Sequence, residues 1–256
     1  MHYTKRFKLN KYKLVLAYSI KWKSFPGDDG RYYESEEVKY ILDNHTGLWY
    51  NVTIALFYWR NKIFIFDVET LGKDSDAVIL SMAAIYFDPD KEPSHTQLRE
   101  SAFFCKFDVK QQIKDFNRKV DRGTVEWWSK QCENARNKSF KPHPNDVPFE
   151  IGYSAMSQWV KSKNDNNCWV WARGNLDQMV LSHIEDQMNL ENIWSYARWR
   201  DVRTAIDFLY GTKNGYVDVD TPAWVEAFDS KLHITKHNPI DDCIFDAMQL
   251  MYGKKS

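Results

Sequence analysis

Residues 11–23 alternate in character. Tyr12, Leu14, Leu16, Tyr18, Ile20 and Trp22 fall on one side, and Lys11, Lys13, Ser19, Lys21 and Lys23 on the other. A period of two predicts a half-buried strand with its aromatic side chains turned inward. Pro26-Gly27-Asp28-Asp29-Gly30 reads as a turn or loop, and Ser35 as the cap of a short helix running through Asp43. Residues 48–59 read as a further strand. Only Arg60-Asn61-Lys62 separates it from the apolar run Ile63-Phe64-Ile65-Phe66, so no long flexible linker is expected there.

From Ile63 onward strands and helices mix. Strands are predicted at 63–68, 77–87 and 101–109, the first apolar on both faces as a central, covered strand should be. Helices follow near 124–131 and 151–161, then a short buried strand, Cys168-Trp169-Val170-Trp171-Ala172. Asp177 to Met188 and Asp201 to Tyr210 read as helices. The last helix starts at Pro239, a favoured first-turn residue, and runs to about Met251. Lys141-Pro142-His143-Pro144-Asn145 is a rigid surface loop. The whole is an α/β chain with a β-rich extension over residues 1–60.

A length of 256 residues allows one sizeable domain with an addition, or two small domains, and 43% hydrophobic residues argue against disorder. Net charge is zero, which excludes a polycationic coat, yet residues 1–27 hold Lys5, Arg6, Lys8, Lys11, Lys13, Lys21 and Lys23 without one acid. The remainder is therefore net acidic. Residues 1–60 can track a nucleic-acid backbone, form a small structural module or dock a partner; the inward aromatics favour the module. Cys105, Cys132, Cys168 and Cys243 have no Cys-x-x-Cys spacing, which argues against zinc. With no apolar signal core at the N-terminus, they are expected as reduced thiols in a cytoplasm, a host's cytoplasm if the chain is phage-encoded. The longest apolar stretch, Val52 to Trp59, is too short to span a membrane as a helix.

The candidate chemistry is acidic. Asp67 and Glu69, two apart on a strand, project from one face, where their repulsion calls for a cation and their hard oxygens select magnesium or manganese. Taken alone, the pair reads more readily as a solvated strand end, since an isolated Asp-x-Glu is common. Asp177 follows a buried strand at a helix start, where an acid also serves as a cap or faces the macrodipole. His237 precedes Asp242 by five residues, with Pro239 between them. On a helical wheel Asp242, Asp246 and Gln249 share a face, either solvated or bordering a cleft. Asp241 competes with Asp242, and spacing favours Asp242.

Asp67-x-Glu69 after a first strand, Asp177 in the middle, and His237 with four residues before Asp242 together resemble the histidine-containing branch of the DEDD exonucleases, the DnaQ-like or ribonuclease T-like superfamily. The similarity runs from about Ile63 to Gly253. Phe66-Asp67-Val68-Glu69-Thr70, Thr124-Val125-Glu126-Trp127-Trp128 and Arg200-Asp201-Val202-Arg203-Thr204 look like bacteriophage members. The resemblance implies a ribonuclease H-like fold, a five-stranded mixed sheet flanked by helices, over residues 61–256. It implies a 3′–5′ exonuclease using two Mg2+ or Mn2+ ions. Asp67 would bridge both ions, Glu69 and Asp242 hold the ion that carries the attacking water, Asp177 support the other, and His237 take the water's proton. The implied partner is the 3′ end of a single strand, DNA ahead of RNA; protein partners are not legible. Thr70 and Leu71 are expected to seat the terminal nucleotide. One of Trp127 and Trp128 is expected to stack a base while the other joins the core, and Arg173, Arg203 and Arg200 either meet phosphates or pair with nearby acids. A non-catalytic binder on the same fold would show a lost ligand, and none of the five is missing.

Overall fold

The computed structural model describes residues 62–91, 93–163, 168–219 and 234–253; within residues 1–61 it describes the backbone of six short strands. The chain divides into two compact units, Met1–Tyr58 and Trp59–Ser256.

In the first unit β1 (His2–Leu9), β2 (Tyr12–Ser19), β5 (Ile41–Leu42) and β6 (Trp49–Tyr50) form one sheet in the order β1-β2-β5-β6, and β3 (Trp22–Pro26) pairs with β4 (Tyr32–Glu36). The alternation over residues 11–23 is thus split between two strands. The helix expected from Ser35 through Asp43 is overturned, because Ser35 and Glu36 close β4 and Ile41–Leu42 is β5; local capping chemistry lost to strand pairing. Of the strand expected over 48–59, Trp49–Tyr50 is β6; its remaining residues, the turn at 27–30 and the inward placing of the aromatics lie outside the described residues.

The second unit is built on a five-stranded mixed sheet. β7 (Ile63–Thr70) is central and pairs antiparallel with β8 (Ile79–Phe87), which pairs antiparallel with β9 (Phe103–Lys106). On its other side β7 runs parallel to β10 (Trp169–Ala172), followed by β11 (Trp199–Asp201). Period two on β7 sends Phe64, Phe66 and Val68 into one core with Tyr153, Met156, Val180 and Ile184, from α5 (Phe149–Ser162) and α6 (Leu176–Gln187). Ile63 and Ile65 enter the opposite core with Val202 and Ile206 of α7 (Val202–Tyr210) and Ile244, Ala247 and Met248 of α8 (Pro239–Tyr252). Asp67 and Glu69 share the parity of Ile63 and Ile65 and so belong to the α8 face.

Three elements differ from the sequence reading. α1 (His95–Glu100) is started by a capping box between Ser94 and Gln97. The strand expected over 101–109 stops early because the Asp108 side chain accepts from the Lys110 and Gln111 amides, and this opens α2 (Val109–Phe116). β11 is three residues long, too short to show a period. α3 (Arg122–Ser129) is capped by Asp121, and α4 (Glu133–Ala135) runs on into one π turn, Arg136–Phe140. Among the described residues no helix is long and apolar enough to cross a membrane, and Cys105, Cys132, Cys168 and Cys243 are free thiols.

Candidate active site

Asp67 and Glu69 end the central strand, where its register against β8 slips between Glu69 and Thr70. An irregularity of this kind bends a strand locally and re-aims its side chains. β10 pairs with β7 only as far as Ile65. The Val68 amide beyond that point donates instead to Asp177 Oδ1 at 3.1 Å, which brings the first turn of α6 against the end of β7. Between β10 and α6 the chain turns at Gly174 with φ 88°, a conformation that suits glycine, and the Gly174 amide donates to Asp201 Oδ1 at 2.9 Å. Asp242 comes from the first turn of α8, and its Oδ2 accepts the His237 amide at 2.9 Å. Asp241 faces another way. It pairs with Arg99 and accepts from the Thr235 amide at 3.0 Å and from Asn238 Nδ2 at 2.7 Å. It holds the entry to the helix, and Asp242 is the residue that faces the cluster.

His237 sits at φ 66°, a strained backbone for a side chain of its kind. It is held there from three sides. Its amide is bound by Asp242, its carbonyl accepts from Ser139 Oγ at 3.3 Å, and its ring meets Trp127 edge to face at 4.7 Å. His237 Nδ1 is 3.9 Å from Glu69 Oε1, and donor atoms of Glu69, His237 and Asp242 all lie within 4.8 Å of one another.

These carboxylates are buried together, and each pushes its neighbours toward the protonated form. Burial, then Asp177, Glu69 and Asp242, raise Asp67 well above the ordinary range, and burial with Asp242 and Asp177 does the same to Glu69. Burial pushes Asp177 and Asp242 up to about 7, although the amides that each accepts oppose the shift. Burial, and then Lys236, lower the pKa of His237, so its ring stays neutral and able to accept a proton near pH 7. Asp67 Oδ2 is buried and has no hydrogen-bond partner among the described residues. Hard oxygens in mutual repulsion, one of them bare, fit a divalent cation.

Two cavities meet at Val68, Glu69 and Leu176. One, of about 490 Å³, is lined by Thr70, Lys73, Trp127 and Trp128; the other, of about 590 Å³, by Asp67, Asp177, Arg173, Arg203, Lys236 and Asp242.

A family model for the Rv2179c-like 3′–5′ exoribonuclease domain matches residues 61–252. The chain belongs to this family. It is accordingly a 3′–5′ exonuclease of the DEDD superfamily, acting on nucleic acid, and divalent-cation dependence goes with that membership. An exodeoxyribonuclease of Enterobacteria phage T4 is 26% identical over 209 residues, covering 74% of this chain and 88% of that protein. The nuclease domain of 3′hExo, a DEDDh family member bound to rAMP, aligns with a TM-score of 0.48 at 14% identity, over 78% of this chain and 98% of that one. A full-length 3′-exonuclease aligns with a TM-score of 0.48 at 10% identity, over 75% of this chain and 80% of that one.

Within this exonuclease, Asp67, Glu69, Asp177, His237 and Asp242 converge. Trp127 is 42% exposed and Trp128 1%. Trp127 therefore faces the cleft, while Trp128 donates from its indole to the Thr70 carbonyl at 2.9 Å and stacks on Phe140. Thr70 lines the smaller cavity, whereas Leu71 packs in a core with Val78 and Leu80 and offers no side chain to the cleft. Arg203 lines the larger cavity. Arg173 does too, but its guanidinium is committed: Nε and Nη2 donate to Asp246 Oδ1 at 2.8 and 2.6 Å. Arg200 lies over the Trp169 ring at 3.5 Å, donates to the Ala197 and Trp199 carbonyls, and does not line the cleft. Asp246, which the helical wheel put on the face of Asp242, is buried beside the cluster, and burial pushes its pKa up to about 6.

Proposed function

We propose that Asp67, Glu69, Asp177 and Asp242 hold two divalent cations, magnesium or manganese, and that His237 is the general base for hydrolysis of the terminal phosphodiester of a single strand. The observation that carries this reading is the burial of four mutually repelling carboxylates, one bearing the bare Asp67 Oδ2, beside a neutral imidazole at the meeting point of two cavities. When bound, the cations offset the carboxylate charge and stabilise the entering and leaving oxygens of the displacement. The protein's own groups do the rest. His237 takes the water's proton, its ring aimed by Trp127 and its backbone pinned by Asp242 and Ser139. The Val68 amide fixes the Asp177 carboxylate in one orientation. Trp127 stacks the terminal base, and Thr70 borders its pocket.

In this reading residues 61–256 are the exonuclease domain, and residues 1–60 are a separate small module. Single-stranded DNA is the favoured substrate, following the phage exodeoxyribonuclease; the family's description as exoribonucleases makes trimming of RNA 3′ ends the second reading. End-labelled digestion of matched DNA and RNA oligomers with magnesium, manganese and EDTA tests both. Stepwise shortening from the 3′ end of DNA, abolished by EDTA, supports the proposal. Faster shortening of RNA transfers the activity to the second reading, and intact oligomers under every condition overturn both.

A further inference from the structure

The π turn Arg136–Phe140 interrupts a helix, and it is fastened to its neighbours. The Lys141 amide reaches back five residues to the Arg136 carbonyl at 2.7 Å. Arg136 Nη1 donates to the Ser129 carbonyl at the end of α3 at 3.1 Å, and the Phe140 ring stacks on Trp128 of the same helix. The Lys138 ammonium lies 3.8 Å from the centre of the Phe104 ring on β9. A widened turn gives up regular helical hydrogen bonding, and such turns gather at functional sites. Ser139, inside this turn, is fully buried, and so is Ser81 on β8. The Ser139 hydroxyl lies 3.0 Å from Ser81 Oγ and 3.3 Å from the His237 carbonyl. A carbonyl only accepts, so the one proton of Ser139 goes to His237 and Ser81 donates to Ser139. Ser81 is the register partner of Glu69 in the β7–β8 ladder, and residues opposite one another in an antiparallel pair share a face. The relay therefore starts on the sheet rung that carries Glu69 and ends on the backbone of His237, whose Nδ1 stands 3.9 Å from Glu69 Oε1. His237 keeps φ 66°, a conformation that persists only where the surroundings over-determine it.

We infer that Ser81 and Ser139 are positioning residues, a buried hydroxyl relay held in place by the π turn that fixes His237 at its working distance from Glu69. It rests on the reading of His237 as the general base. Neither serine lines either cavity, so both act through the placement of the imidazole and not on the nucleic acid. The relay accordingly serves turnover and leaves binding of the 3′ end to Trp127 and Thr70.

The test is a double-mutant cycle on the shortening of an end-labelled oligomer, of whichever sugar the parent cleaves, with manganese. Ser139→Ala should lower kcat by about 5- to 100-fold and leave KM within about twofold of the parent's. Ser81→Ala should lower kcat less, and adding it to Ser139→Ala should cost nothing further, because the two hydroxyls act in series. His237→Asn removes the imidazole, and Asn accepts a left-handed backbone. In that background Ser139→Ala should change the residual kcat by less than about twofold. A Ser139→Ala loss that multiplies with that of His237→Asn, a loss that falls on KM, or no loss of kcat overturns the relay and leaves His237 as the base. Should Ser139→Ala fail to fold, Ser81→Ala carries the same cycle, and an unchanged kcat there overturns the relay. Full turnover in His237→Asn overturns the reading of His237 as base, and the relay with it.

Discussion

Replacing Asp177 with Asn should stabilise the cation-free protein while destroying its activity. The substitution keeps the Oδ1 acceptor that binds the Val68 amide and removes only the charge. The Asp177 carboxyl rises from 3.8 to about 7 in the fold, a difference corresponding to on the order of 4 kcal/mol. Its folded pKa lies above its unfolded one, so the folded state binds the proton more tightly and stability falls as pH climbs between them. The penalty is complete above about pH 7 and gone below about pH 4. In EDTA at pH 8 the variant should therefore melt higher than the parent, by on the order of 10 °C for the full charge penalty. At pH 4.5 the gap should shrink to about a quarter of its value at pH 8. Manganese at pH 8 should raise the parent's melting temperature and raise the variant's less, and cleavage by the variant should drop at least about a hundredfold. Differential scanning calorimetry in EDTA and in manganese, with the digestion assay alongside, reads all of this. If the variant melts at or below the parent at pH 8 in EDTA, burial does not penalise the Asp177 carboxylate as described.

Further outcomes are expected. His237→Ala should lower turnover by about 100- to 10,000-fold yet keep the manganese-induced rise in melting temperature; turnover unchanged across pH 6–9 would remove His237 as the base. Trp127→Ala should weaken binding of the 3′ end by about 1–3 kcal/mol at little cost to the fold, measured by fluorescence titration. Trp128→Ala should instead cost about 3–5 kcal/mol of stability, because it empties a fully buried site and strands the Thr70 carbonyl, as denaturant unfolding would show. Asp241→Ala should destabilise the start of α8 while Asp242→Asn does not, since only Asp241 is tied to Arg99, Thr235 and Asn238; the paired melting curves separate the two.

What the sequence revealed of this site follows from periodicity. Asp67 and Glu69 were legible as one face because a strand repeats every two residues, and Ile63 and Ile65 before them marked the face as covered. His237 and Asp242 were legible through the Pro239 helix start. Arg173 was not, because a guanidinium aimed at Asp246 and one aimed at solvent look alike until α8 is packed on β7. Leu71 read as a binding residue from its place after the metal motif, yet the strand end turns its side chain into the core with Val78. The Ser35–Asp43 helix failed for a related reason: capping residues are local signals, and strand pairing is decided by distant chain.

The account stands on four carboxylates gathering divalent cations at the end of the central strand. Crystals grown in manganese and measured at its absorption edge test this directly. The account predicts anomalous density for two ions among Asp67, Glu69, Asp177 and Asp242, with His237 beside one of them. Anomalous density absent from that cluster, with the four carboxylates turned apart, would contradict it.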